Sequence, residues 1–282
     1  MKRMKVLSAL IVFLFLQIIS CAQEYPYLND PSGLTGVTPA SGITEPVTVK
    51  VIYDNYVHTE GMKADWGFSI VVSGLDKTVL FDTGTRPEIF ESNFSKMGID
   101  PSTIDAVVFS HEHLDHIGGM SAFMKMKTGI PVIMPDAFPA EFKKKMANAG
   151  MKPLMVREPA MICEHLYTSG VFDFPLAEQA LVLDTKRGLV VMTGCSHPGI
   201  VDMLKEIKAR FNKTPYMVFG GFHLLNKSDK EMEKIIEEMK AIGVVRCGAT
   251  HCTGDRQIKL IKEAFGDNYF ELGVGNILTI SQ

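Results

Sequence analysis

In the stretch Phe109-Ser-His-Glu-His-Leu-Asp-His-Ile-Gly-Gly119, three histidines and two acids fall within positions 111–116, out of eight histidines in the whole chain. The apolar residues Ala106-Val-Val108 precede it and a glycine pair closes it, so it reads as the point where a buried strand runs out into a loop. In an extended segment His111 and His113 project to the same side, because side chains alternate with a period of two. Asp115 and His116 are adjacent, so they diverge and reach a second position close by. Imidazole nitrogens with a carboxylate form a borderline-soft donor set that suits zinc, and also iron or manganese. An incidental histidine-rich patch needs neither the apolar strand before it nor the Gly-Gly turn after it, so the stretch is read as metal-binding. Glu112, between two candidate ligands, is expected to face away from the metal.

Three further histidines have a comparable setting. The strand Leu189-Val-Val-Met192 leads into Gly194-Cys-Ser-His197, Tyr216–Phe219 leads into Gly220-Gly-Phe-His223, and Val244–Ala249 leads into His251. Histidines at the C-terminal ends of three strands converge on one edge of a sheet, where ligand sites of α/β proteins lie. His58 and His165 lack such a setting and read as ordinary polar residues.

The elements that must carry these residues follow from periodicity. Val47-Thr-Val-Lys-Val-Ile-Tyr53, Gly67-Phe-Ser-Ile-Val-Val72 and Lys77-Thr-Val-Leu-Phe81 are rich in β-branched residues and separated by turn-formers, so the domain starts with strands. Strands and helices then alternate. The strand Asp105–Phe109 is followed by a helix starting near Gly118, the strand Pro131–Met134 and a helix over Ala137–Ala149. The strands Ala180–Leu183 and Leu189–Met192 come next, then a helix from Gly199 to Phe211, the strand Tyr216–Phe219, an amphipathic helix over Asp229–Ile242 and the strand Val244–Ala249. This order predicts an α/β domain of two sheets with helices on their outer faces. No internal repeat is visible at the level of residue identity.

Composition narrows the function. With 46% hydrophobic and 22% charged residues in 282, the chain can bury a large core and is expected to form one catalytic-sized domain. A net charge of −3 leaves no broad basic face for phosphates, and Lys143-Lys-Lys145 reads as a solvated helix face, so nucleic acid is not an expected partner. The methionines of the helices, such as Met146, Met232 and Met239, are read as packing residues.

The N-terminus reads separately. Lys2, Arg3 and Lys5 precede the apolar run Val6–Ile19, which is short for a spanning helix and has the build of an export signal. Residues 1–20 are therefore expected to be a signal peptide. Ile18-Ile-Ser-Cys21 resembles the bacterial lipobox, which implies a cell-envelope lipoprotein anchored through Cys21, periplasmic or on the outer surface; an uncleaved anchor or a plain signal peptide is the competing reading. Removing residues 1–20 takes away three positive charges and leaves −6. Residues 21–46, rich in Pro, Gly, Ser and Thr, read as a lipidated N-terminus and tether, and order is expected from Val47. Membrane contact is expected only through the lipid, and the sequence assigns no oligomeric state. Of the remaining cysteines, 163, 195, 247 and 252, an exported protein could pair some. Cys195 and Cys252 stand beside histidines, so a place near a metal is the equal alternative.

His111-Glu-His-Leu-Asp-His116 resembles the HxHxDH signature of the metallo-β-lactamase superfamily, and Phe81-Asp-Thr-Gly84 resembles its FDTG element. The resemblance covers most of residues 47–282. Tyr53-Asp-Asn-Tyr56, Gly67-Phe-Ser69, Thr193-Gly-Cys-Ser-His-Pro-Gly199, Gly220-Gly-Phe-His-Leu224 and Thr250-His-Cys-Thr-Gly254 resemble, more narrowly, the branch labelled dihydropterin ribofuranosylaminobenzene phosphate synthase-like. The resemblance implies an αββα sandwich of two mixed sheets flanked by helices. It also implies one metal held by His111, His113 and His197 and a second held by Asp115, His116 and His251. Two departures stand out. No GHxxG histidine precedes the strand Ala180–Leu183, so His197 takes that place, and Cys195 stands where many members have a bridging Asp. Asp82 is expected to hold a ligand histidine rather than touch metal. His223 is read as a substrate contact or general acid, with metal ligation as the alternative.

Zinc lowers the pKa of bound water from about 16 to roughly 7, and two metals about 4 Å apart can share a hydroxide. The implied chemistry is hydrolysis of an ester, phosphoester, thioester or amide in a small-molecule substrate, by metal-bound hydroxide at one or two zinc ions, or iron or manganese, with Asp115 and His223 as the catalytic side chains. Ser110 and Ser196 are not needed as nucleophiles. An iron-dependent oxidoreductase of the same fold and a non-catalytic metal-binding surface protein are the alternatives.

Overall fold

The computed structural model describes residues 24–28 and 46–281, and the expected signal peptide and Cys21 lie outside them. In chain order the strands are β1 (Val47–Tyr53), β2 (Ser69–Ser73), β3 (Thr78–Phe81), β4 (Ile104–Val108), β5 (Pro131–Pro135), β6 (Lys152–Val156), β7 (Ala160–Cys163), β8 (Leu166–Thr168), β9 (Leu181–Thr185), β10 (Gly188–Thr193), β11 (Pro215–Gly221), β12 (Arg246–Thr250) and β13 (Ile277–Ile280). The helices are α1 (Pro87–Lys96), α2 (Leu114–Ile117), α3 (Met120–Met126), α4 (Ala140–Asn148), α5 (Ile200–Phe211), α6 (Asp229–Ile242) and α7 (Asp255–Phe265). One sheet runs β13-β1-β2-β3-β4-β5-β6 and the other β12-β11-β10-β9-β8-β7. Both are mixed. β3 to β6 pair in parallel, as do β10 to β12, while β1, β2 and β13 in the first sheet and β7 to β9 in the second pair antiparallel.

Burial on both faces explains why the strands read as near-continuous apolar runs. Val49, Val51, Val72, Phe81, Val108 and Ile133 of the first sheet meet Leu181, Leu183, Val190, Met192, Met217 and Phe219 of the second, forming the core between the sheets. The alternate residues Ile52, Val71, Leu80, Val107 and Val132 face outward to Phe90, Phe94, Phe123 and Met146 of α1, α3 and α4. On the far side, Leu189, Val191 and Val218 pack against Met203, Ile207, Met232, Met239 and Ile261 of α5, α6 and α7. The period of two therefore separates one central core from two helix-covered ones, giving the expected αββα layering.

Besides α1, α7 and the short strands it did not assign, the sequence-based expectation differs from the fold in three main places. The chain turns helical before the glycines rather than at them: α2 begins at Leu114, with His113 extended at its N-cap and Asp115 in its first turn, where a carboxylate suits the helix N-terminus. α4 starts three residues later than expected because Pro139 occupies its N-cap. Within the expected tether, residues 24–28 lie against the first sheet: the Leu28 amide donates to the Met155 carbonyl at 2.7 Å and the Met155 amide to the Pro26 carbonyl at 2.9 Å. Those contacts cover the open edge of β6, which would otherwise present unpaired backbone groups.

The loop after β3 and the loop carrying α2 are clamped together. The Thr83 amide donates to the His116 carbonyl at 2.6 Å, the Gly119 amide to the Gly84 carbonyl at 3.1 Å and the Phe68 amide to the Asp115 carbonyl at 3.2 Å. The clamp is close enough to require glycine at 118. A Cβ there would lie 2.0 Å from the Thr85 carbonyl oxygen and 2.8 Å from that of Leu114. Gly118 has helical dihedrals, φ −63° and ψ −40°, so alanine gains about 1 kcal/mol of helix propensity there. The clash is with backbone, which cannot turn aside, and overpacking of this kind costs about 1–3 kcal/mol or more. Gly118→Ala is therefore expected to be net destabilising, read as a lower midpoint of denaturant unfolding with unchanged slope.

Candidate metal centre

The parallel strands deliver their C-terminal ends to one edge shared by both sheets. Asn55 follows β1, Asp82 follows β3, His111 follows β4, His197 follows β10, His223 follows β11 and His251 follows β12. Gln179 ties the sheets at this edge: its amide donates to the Ser110 carbonyl at 2.9 Å, and its side-chain Nε2 to the Phe109 carbonyl at 2.8 Å. Six non-glycine residues among those described have positive φ, and Asp82, Ser196, His223 and His251 are four of them. Such conformations cost free energy and persist where surrounding contacts impose them. Here they fall just past the strand ends, at the site side chains Asp82, His223 and His251 themselves and, for Ser196, directly before His197.

Three donor groups result, and two of them gather the predicted ligands. Asp115, His116, Cys195 and His251 place one ligand atom each within 4.8 Å of one another, and so do His111, Cys195 and His197. His116 Nε2 is 3.1 Å and His251 Nε2 3.3 Å from Cys195 Sγ. Asp115 Oδ2 is 3.6 Å from His116 Nε2 and 3.3 Å from His251 Nε2. His113 is exposed, with its ring 4.8 Å from those of both His111 and His197. The five predicted histidines and Asp115 thus come together, drawn from loops far apart in the chain. His223 is also exposed and stands at the margin, its ring 4.4 Å from that of His197. Among the described residues, His58 and His165 fall in none of these donor groups.

The hydrogen-bond network fixes which nitrogen each buried imidazole presents. Asp82 accepts from the Ser110 hydroxyl at 2.6 Å and the Ser110 amide at 2.7 Å. With that hydroxyl proton committed, the 2.9 Å contact between Ser110 Oγ and His111 Nδ1 has the histidine as donor, so Nε2 carries the lone pair. His116 Nδ1 donates to Asp82 at 2.7 Å, His197 Nδ1 to Glu178 at 2.9 Å and His251 Nδ1 to the Asn55 side-chain oxygen at 3.0 Å. Each Nδ1–H is anchored and each Nε2 is turned inward, the arrangement that orients histidines toward a metal. His111 Nε2 completes the case: it is buried without any hydrogen-bond partner among the described residues. An orphaned buried acceptor is costly, and a cation at this point would satisfy it. The donor set fits a divalent ion.

Electrostatics agree. Burial and the neighbouring histidines hold the His111 imidazole well below its usual pKa, so it is neutral and free to coordinate. Burial opposes a charged His116, but Asp82, Asp115 and Glu178 together outweigh it and raise its pKa to about 9. Glu178 and Asp115 are both held below the usual carboxylate range: burial opposes their charge, and the surrounding histidines outweigh it. A field that favours a proton on His116 also favours a metal cation in its place.

Asp82 takes the supporting role expected of it. Two other supports lie outside the sequence reading. Glu178 is fully buried and accepts the backbone amides of Cys195, Ser196 and His197 at 2.9, 2.7 and 2.8 Å. It is the floor of the loop that carries two donors. Asn55 bridges by accepting from the Gly67 amide at 3.0 Å while its Nδ2 donates to the His251 carbonyl at 3.2 Å. The only signal for Asn55 was its place in Tyr53-Asp-Asn-Tyr56, and Glu178 had none beyond preceding a strand. Cys163, Cys195, Cys247 and Cys252 are all buried free thiols, so no disulfide joins them.

A family profile described as the metallo-beta-lactamase superfamily matches residues 67–199. The chain is 29% identical over 251 residues to 7,8-dihydropterin-6-methyl-4-(beta-D-ribofuranosyl)-aminobenzene-5'-phosphate synthase of Methanocaldococcus jannaschii, covering 73% of this chain and 85% of the relative. It is 25% identical over 272 residues to the uncharacterized protein MJ0448 of the same organism, covering 82% of this chain and 100% of that one. Among solved structures, Tm1679, described as a metal-dependent hydrolase of the β-lactamase superfamily, is 30% identical with a TM-score of 0.70, covering 84% of this chain and 100% of its own.

Proposed function

This chain belongs to the metallo-β-lactamase superfamily, and from that premise we propose that its histidine-lined edge is the active centre of a metal-dependent hydrolase acting on a small molecule. The superfamily fold implies a divalent metal; zinc, iron and manganese all suit the N and O donors. The observation that carries the reading is the set of inward Nε2 atoms with anchored Nδ1–H groups, above all the partnerless Nε2 of His111.

His111, His113 and His197 would hold one ion and Asp115, His116 and His251 a second, with Cys195 between them. The bound metal supplies Lewis acidity and a water that is reactive at neutral pH. The chain's own residues do the rest. Glu178, Asp82 and Asn55 fix the imidazoles before substrate arrives, so no reorganisation is needed at the moment of reaction. A hydrogen bond to Cys252 raises the pKa of His223, favouring its protonated form, and its exposed place beside His197 suits it to donate that proton to a leaving group.

The substrate class is suggested by the rim. Trp66, Leu114, Phe174 and Leu225 are exposed large apolar side chains, 48%, 66%, 85% and 54% accessible, the second at the start of α2 and the others on loops that carry or adjoin the site. Trp66 stands with its ring 5.1 Å from that of His251. We assign to this rim the apolar or aromatic body of the substrate, with an ester, phosphoester, thioester or amide at the metals. A panel of such compounds tests the reading, aromatic phosphoesters included because the archaeal relative is named for an aminobenzene phosphate. Turnover is expected for at least one class, faster with an aryl or long acyl body than with a small polar one. A metal-loaded protein inert across the panel would favour the non-catalytic alternative.

A further inference from the structure

Cys195 belongs to a third donor group. Its Sγ, the Sγ of Cys252 and a ring nitrogen of His223 lie within 4.8 Å of one another. Both cysteines are buried free thiols, while His223 is exposed, so the group has a closed sulfur side and an open imidazole side. The thiol of Cys252 is held in place, 3.6 Å from the Cys195 carbonyl oxygen. Room for it depends on Gly221, where a Cβ would stand 2.8 Å from Cys252 Sγ. The 194–197 loop is fastened to that glycine by the Ser196 hydroxyl, which donates to the Gly221 carbonyl at 2.8 Å, and by the Gly221 amide, which donates to the Gly194 carbonyl at 3.1 Å.

We propose that Cys195, Cys252 and His223 form a further subsite for a single thiophilic cation, sharing Cys195 with the adjoining cradle of nitrogen and oxygen donors. Soft thiolates select zinc, cuprous and cadmium-like ions, in contrast to the imidazole and carboxylate donors next to them. With metal–sulfur bonds of about 2.3 Å, tetrahedral donors stand roughly 3.8 Å apart, within a small side-chain rotation of the spacing here. The two thiols release their protons as the ion binds, and no oxidant is involved. The fourth position is left open through the exposed His223 side. An ion there would occupy the His223 nitrogen that the hydrolytic reading uses as a proton donor; the subsite itself does not depend on that reading.

The test is a titration of the purified, reduced protein, retaining its resident metal, with Cd2+ alone. One further equivalent is expected to bind with a thiolate-to-metal absorption band, and X-ray absorption at the cadmium edge is expected to count two sulfur neighbours. Cys252→Ser is expected to keep the resident metal and lose that equivalent and its band. Equal uptake with the same spectrum in wild type and Cys252→Ser would overturn the proposal, as would a cadmium shell with fewer than two sulfurs. If Cys252→Ser does not fold, the sulfur count in the wild type decides. Because the readout is binding, a protein inactive on every substrate yet showing the two-sulfur shell would sink the hydrolase reading and leave this one standing.

Discussion

Glu178→Ala is expected to lower stability by about 3–5 kcal/mol, the range seen when one partner of a buried charged network is removed. The Glu178 carboxylate accepts three consecutive backbone amides and the Nδ1–H of His197, and it is fully buried. Alanine leaves those donors without partners, and each unsatisfied buried group costs about 1–3 kcal/mol. Removing a buried charge gives back part of its desolvation cost, so the donors' separate costs do not simply add. Against a total stability of about 5–15 kcal/mol the loss is large, and at about 2–4 °C per kcal/mol it corresponds to a melting temperature lower by roughly 10 °C. Glu178→Gln separates charge from shape: it keeps one acceptor oxygen but turns an NH2 toward backbone donors, so an intermediate loss is expected. Thermal unfolding of the three proteins checks the order. Equal melting temperatures for wild type and Glu178→Ala would show that the 195–197 loop holds itself.

His111→Ala carries the largest expected effect on activity. Its Nε2 is the buried atom without a partner, and its Nδ1 donates to Ser110 at 2.9 Å with Glu178 further off at 3.9 Å. The fold therefore loses little beyond a cavity, whereas the centre loses a ligand. Changing a residue that merely supports a ligand costs about 10–100-fold in metal affinity or activity. Loss of the ligand itself is expected to exceed that, with hydrolysis falling by at least about 10²-fold and metal content falling in parallel while the circular dichroism stays native. A variant that keeps both metal and turnover would remove His111 from the centre.

Much of this site was legible because its determinants are local. The apolar run Val107–Phe109 followed by alternating histidines and a Gly-Gly turn defines strand, loop and donors within one short segment. His197 and His251 could be placed because each follows a strand of the parallel set, whose C-terminal ends must share an edge. Asp82 was readable only through the resemblance of Phe81-Asp-Thr-Gly84 to the FDTG element. What stayed hidden depends on pairing between segments. Glu178 acts on residues 195–197 across the β9–β10 hairpin, and nothing in its neighbours' periodicity marks an acid that folds inward beneath backbone amides. Cys195 read as a departure from a bridging Asp, and only the fold shows it shared among three donor groups. Among the elements, β7 and β8 span four and three residues, too few for alternation to show. α1 and α7 went unread, although α7 carries Ile258, Ile261 and Phe265 at helical spacing. α6 was read to its ends from its amphipathic period, and the fold adds a capping box between Ser228 and Glu231 at its start and Gly243 at its C-cap.

On the proposed function, dispersed loops gather imidazoles and Asp115 around a cation that the reaction needs. The direct measurement is elemental analysis of the purified protein, coupled to hydrolysis before and after exhaustive chelation. About one to two equivalents of zinc, iron or manganese are expected, as one- and two-ion centres of this donor type require, with activity lost on chelation and restored by adding the ion back. Full hydrolytic activity in metal-free protein would contradict it.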